Sequence, residues 1–149
     1  MSLHDAVQGF CGLSLGLLLS SCTSDNPASD EPGCLAMAGS TDCTALYEPT
    51  FDNVFKYTLS RTCAATGCHR EPNPRADMAL DEIEMAFTNL RADSPSGEPR
   101  IIPRDVKCGK LIVRLETKGA TYSMPPPPAR LSDLELCSIR QWDANGAER

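Results

Sequence analysis

Apolar residues recur along this chain at helical intervals, and no stretch alternates as a half-buried strand does. Phe51, Val54, Phe55, Thr58 and Leu59 fall three or four apart behind Thr50, a residue suited to capping, so a first helix is expected from there to Arg61. Ile83, Ala86, Phe87 and Leu90 share one face of a second helix beginning near Asp81. Cys108, Leu111, Ile112 and Leu115 stand at i, i+3, i+4 and i+7 and predict a third. Ser132 opens a fourth over Asp133 to Ala144, with Leu131, Leu134, Ile139 and Trp142 on its apolar face. Between these segments lie Glu71 to Arg75 with two prolines, Arg91 to Pro103, rich in Pro, Gly and Ser, and Gly119 to Pro128, which ends in four prolines. Proline removes a backbone donor and fixes φ, so these are loops. The pattern predicts an all-α domain with long loops over residues 48–149.

Upstream the pattern changes twice. Phe10 to Ser21 is an apolar run of about a dozen residues, short of the roughly 20 that span a bilayer and suited to the core of a signal peptide over 1–21. Its end, Leu19-Ser20-Ser21-Cys22, resembles the lipobox of bacterial lipoproteins. That resemblance implies lipidation of Cys22 and a mature chain anchored to a membrane on its periplasmic or cell-surface side. Residues 22–47 are rich in Ser, Asp, Pro and Gly without apolar periodicity and read as a flexible acidic tether.

Charge supports this division. The 149 residues carry 14 Lys plus Arg against 20 Asp plus Glu, a net charge of −6. No Lys or Arg precedes Lys56, and seven acidic residues do, so the downstream domain is close to neutral. A nucleic-acid partner is not expected, because phosphate contacts need clustered basic residues.

Eight cysteines and only eight aromatic residues alter the picture more. Four short helices with few aromatic side chains bury little apolar area, and small exported domains make up the deficit with disulfides, metals or a cofactor. Cys34 and Cys43 stand nine apart and are expected to bridge each other. Cys108 and Cys137, on the third and fourth helices, are expected to form a second bridge flanking the proline loop.

The chemistry concentrates in Cys63-Ala-Ala-Thr-Gly-Cys68-His69. Two cysteines followed directly by His is the attachment pattern of c-type haem, although the usual spacer has two residues and this one has four. A Cys63–Cys68 disulfide, or a zinc site completed by a fourth thiolate, fits the same residues. His69 is the only histidine downstream of the leader, so an opposite axial ligand from this chain has to be another residue type. Met124 is the candidate: it precedes four prolines that would hold its thioether in place, and His with Met is an electron-transfer ligand pair. The plainer reading makes Met124 a packing residue and the prolines an extended docking segment. With the sole His committed to the cysteine motif and no phosphate-binding glycine loop, no catalytic constellation is found.

From about Phe51 to Ala147 the chain resembles the small monohaem cytochrome c-like domains of exported bacterial lipoproteins, of the myxobacterial and planctomycete kind. The residues that carry the resemblance are FDNVFKYTLSRTC, CAATGCHR, DMAL, IIPRDVKCGKLIVRL, SMPPPP and LSDLELCSIRQWDANGA. The resemblance implies a cytochrome c-like fold, one haem c joined covalently to Cys63 and Cys68, and iron held by His69 and Met124. It also implies an electron carrier serving a redox partner protein, with no catalysis of its own. The alternative is a non-haem, disulfide-stapled lipoprotein with the same fold acting as a structural or interaction module.

Overall fold

The computed structural model describes residues 31–149. The expected leader, the lipidation site Cys22 and the first residues of the tether lie outside the described residues. The described chain is mostly helical, and its only β contacts are two isolated bridges, Cys34 with Cys108 and Asp93 with Pro99.

Helix α1 spans Phe51–Val54, capped by the Thr50 side chain, which accepts from the Asn53 amide as the sequence predicts. It continues without a break as a π-helical segment, Phe55–Cys63, a change of geometry that periodicity did not signal. Helix α2 spans Ile83–Arg91, α3 Lys110–Glu116 and α4 Asp133–Ala144. At the start of α4, Ser132 and Glu135 form a reciprocal capping box. The aromatic core joins α1, α2 and α4: the Phe51 ring lies 4.9 Å from Phe87 and 5.5 Å from Trp142.

Helix α3 starts later than the apolar spacing suggests. Gly109 adopts φ 90° just ahead of Lys110, and a Cβ there would come within 3.2–3.3 Å of the backbone at Arg100 and Ile102. Only glycine fits so close an approach at that φ. Cys108 is therefore outside the helix, in extended backbone beside Cys34. Leu134 also departs from expectation, being 43% exposed. The arc of α4 that meets the core is Leu136, Cys137, Ile139 and Trp142.

The four cysteines expected in disulfides are bonded, but with exchanged partners: Cys34 to Cys108 and Cys43 to Cys137. The Cys34–Cys43 and Cys108–Cys137 pairings are incorrect because the segment read as a free tether runs across the domain. Leu35 donates to the Lys107 carbonyl, Leu46 to the Leu134 carbonyl, and Gln141 Nε2 donates to the carbonyls of Thr41 and Cys43. Glu31, with its side chain 3% exposed, pairs with Arg114 at 2.7 Å and with Lys110 at 3.2 Å. Burial alone would raise the Glu31 carboxyl, but these two cations outweigh it and hold its pKa below the usual carboxylate range. From Glu31 onward the tether is thus docked. The disulfides close loops of 74 and 94 residues, each worth about 4 to 5 kcal/mol by loop-closure entropy.

Candidate functional site

One cavity of about 580 Å³ opens beside the aromatic core, and Cys63, Cys68, His69 and Met124 all line it. Leu59 and Cys63 reach it from the π-helical segment, Leu90 from α2, Leu111 and Leu115 from α3, and Ile139 from α4. The four residues singled out in the sequence are thus brought to a single, largely apolar space. A volume of that size lies within the range of small-molecule and cofactor pockets.

The loop after Cys63 builds the histidine position. The His69 amide donates to the Cys63 carbonyl, and the Leu80 amide donates to the His69 carbonyl, tying the loop at both ends of the motif. The His69 ring, 8% exposed, places Nδ1 at 3.1 Å from the Arg75 carbonyl and 3.2 Å from the Met78 carbonyl. Carbonyl oxygens only accept, so Nδ1 carries the proton and Nε2 carries the lone pair. Nε2 has no hydrogen-bond partner among the described residues. Burial lowers the His69 pKa against the two carbonyl contacts, and the positive charges of Arg114 and Arg100 act in the same direction as burial. A neutral imidazole with Nδ1–H held by carbonyls is the form in which histidine binds a metal.

Cys63 is a free thiol. Its pKa is pushed up to about 12, first by burial and then by the negative charge of Glu135. It is therefore a protonated thiol at neutral pH and not a thiolate ligand for a metal ion. Cys68 is disulfide-bonded and, since Cys63 is free, not to Cys63, which removes the alternative of a Cys63–Cys68 bridge. Among the described residues no group of three or more His, Cys, Asp and Glu side chains is placed to hold a metal ion, so the zinc arrangement finds no geometric support there.

Met124 enters the cavity from another segment of the chain, its amide donating to the Arg114 carbonyl at 2.9 Å, with Pro125 and Pro126 beside it on the wall. Met78, which was not chosen as a ligand from the sequence, lines the same space from the loop that cradles His69. Arg100 and Arg114 at the cavity were also missed. Nothing in their spacing distinguishes them, since their position follows from loop and tether contacts made over long sequence separations.

Compared with family models, with curated proteins and with solved structures, the chain shows no match.

Proposed function

We propose that this chain is an exported c-type cytochrome-like lipoprotein that binds one covalent haem and carries single electrons. The observation that carries the reading is the convergence of Cys63, Cys68, His69 and Met124 on one apolar cavity. The donor set fits the group: a buried neutral imidazole, a thioether from a separate segment, and two cysteine sulfurs on the same wall system. When bound, haem c supplies a one-electron iron couple, and a His/Met pair is the ligation that raises its potential. Cys63, held as a thiol, and Cys68, whose disulfide a dithiol reductant of the maturation system would first have to reduce, would be the attachment residues, each S–H adding across one vinyl group of the haem. His69 presents Nε2 because its other nitrogen is held by the loop carbonyls. The leucines of α3 and the π-helical segment give the haem space apolar walls. Cys22 would carry the lipid that keeps the protein on the periplasmic or cell-surface side of its membrane, and the disulfides fit an oxidising compartment. Its electrons would pass to and from a redox partner protein.

The second reading, a non-haem stapled module, is favoured by the disulfide at Cys68. Absorption spectroscopy separates the two. Protein made in a host with intact export and cytochrome maturation should show a reduced α-band of c-type haem that stays with the polypeptide through acid–acetone extraction. Colourless protein with Cys63 and Cys68 unattached overturns the first reading and leaves the second.

A further inference from the structure

Several cations line the cavity wall, and among the described residues their ion pairs are unevenly shared. Lys110 bonds Glu31 and Glu98, and Arg114 bonds Glu31. Arg100 is 6% exposed, lines the cavity and, among the described residues, has no carboxylate within ion-pair distance. Its guanidinium donates to two carbonyls, from Nη1 to Asn89 at 2.9 Å and from Nη2 to Ala76 at 2.7 Å. Those bonds fix the side chain but leave its charge uncompensated, and a buried unpaired charge is costly. The backbone holding it is also fixed. The Lys110 and Leu111 amides at the start of α3 donate to the Pro99 and Arg100 carbonyls, and Gly109 permits that approach.

We infer that Arg100 binds a carboxylate of the cavity's occupant, which for haem c is one of its two propionates, and so fixes the direction in which the macrocycle enters. This rests on the haem reading above. Guanidinium is always charged and matches a carboxylate in shape, so it is the side chain suited to this task at a buried rim. Burial lowers the pKa of Arg100, while Asp77 and Asp93 act from longer range in the opposite direction. The other charged or titratable groups around it are Glu98, Lys110, Arg114, Arg75 and His69 on the cavity wall. Glu98 is already engaged by Lys110, so the surplus stays on Arg100.

The test is the pH dependence of the reduction midpoint in mature holoprotein, for the wild type, Arg100→Gln and Arg100→Lys. An ionised propionate paired with Arg100 should leave the wild-type midpoint flat across the neutral range. Arg100→Gln should add a limb in which the midpoint falls as pH rises through the freed propionate's pKa, and Arg100→Lys should remove most of that limb. A structural role alone moves stability and leaves the profile unchanged. Identical profiles in the wild type and Arg100→Gln, with the α-band present in both, overturn the inference and leave the haem reading standing. Absence of the α-band in the wild type overturns both. Should Arg100→Gln fail to mature, infrared redox-difference spectra of the wild type with labelled propionates decide. Ionised carboxylate at about pH 5 supports the pairing, and a protonated carboxyl band there overturns it.

Discussion

The helix from Phe51 to Cys63 passes through two regions built on opposite terms. At its α-helical start, Phe51 and Val54 are fully buried, and Phe51 packs against Phe87 and Trp142. At its π-helical end, Leu59 and Cys63 form the wall of a 580 Å³ cavity. Helix α4 repeats the contrast, with Trp142 in the aromatic cluster and Ile139 on the cavity wall. The first region stabilises itself by close packing. The second has apolar walls around open space, bordered by a loop whose carbonyls are tied to His69 and Arg100. π-helical turns inside α-helices concentrate at functional sites, and here the change falls where the helix leaves the packed region for the cavity.

The largest expected effect exploits this difference. Phe51→Ala should cost about 3 to 5 kcal/mol, as expected for an aromatic side chain removed from a filled site. Leu111→Ala, on the cavity wall, should cost only about 1 to 2 kcal/mol in protein without cofactor, because that side chain already lacks neighbours on one side. Urea unfolding of the two variants measures the gap. Equal losses would show that the cavity region is as closely packed as the aromatic one.

The packed region was also the more legible in the sequence. Its helices follow from 3.6-residue periodicity and from two capping signals, Thr50 and Ser132, because both depend on residues a few positions apart. The motif residues of the cavity were legible for a different reason: Cys63, Cys68 and His69 are neighbours in sequence, and Met124 stood out beside its prolines. The supports around them were not. The carbonyls of Arg75 and Met78 that orient His69, the exchanged disulfides and the Glu31–Arg114 pair depend on which distant segments meet. Composition correctly marked residues 22–47 as polar and acidic, but Cys34 and Cys43 bond into the domain, and the covalent constraint overrides the segment's weak preference for order.

An intermediate effect should come from the one discordant group on the packed side. Asp143, on α4 next to Trp142, is fully buried, and neither carboxylate oxygen has a hydrogen-bond partner among the described residues. Burial, with the negative charge of Asp105 adding to it, raises its pKa from 3.8 to about 7. In the window between those values the folded state holds a proton that the unfolded state has released. Asp143 therefore makes stability fall as pH rises from about 4 to 7 and then level off. His69, with a lowered pKa, contributes the opposite slope as pH falls below its ordinary 6.5, so the comparison has to be made between variants. Asp143→Asn should remove the Asp143 component and stabilise the protein at pH 8 by on the order of 4 kcal/mol relative to pH 4. Parallel stability profiles for the wild type and Asp143→Asn would show that the carboxyl is solvated.

The smallest effect lies in the cavity region, at the turn that positions His69. Ala76 and Asp77 adopt φ of 55° and 50°, left-handed values that residues bearing a Cβ rarely take. The turn is held in that conformation because Arg100 grips the Ala76 carbonyl and because His69 bonds the carbonyls on either side, those of Arg75 and Met78. Glycine pays no steric penalty there, yet it adds freedom to the unfolded chain, and the two terms partly cancel. Ala76 is exposed, so Ala76→Gly removes little packing. The expected net gain is up to about 1 kcal/mol in urea unfolding, with the His69 environment unchanged. A loss of stability of that size would mean that the Ala76 methyl, rather than the Arg100 and His69 hydrogen bonds, defines the turn, and the contrast between a region stabilised by side-chain packing and one held by ties to backbone carbonyls would fail at this position.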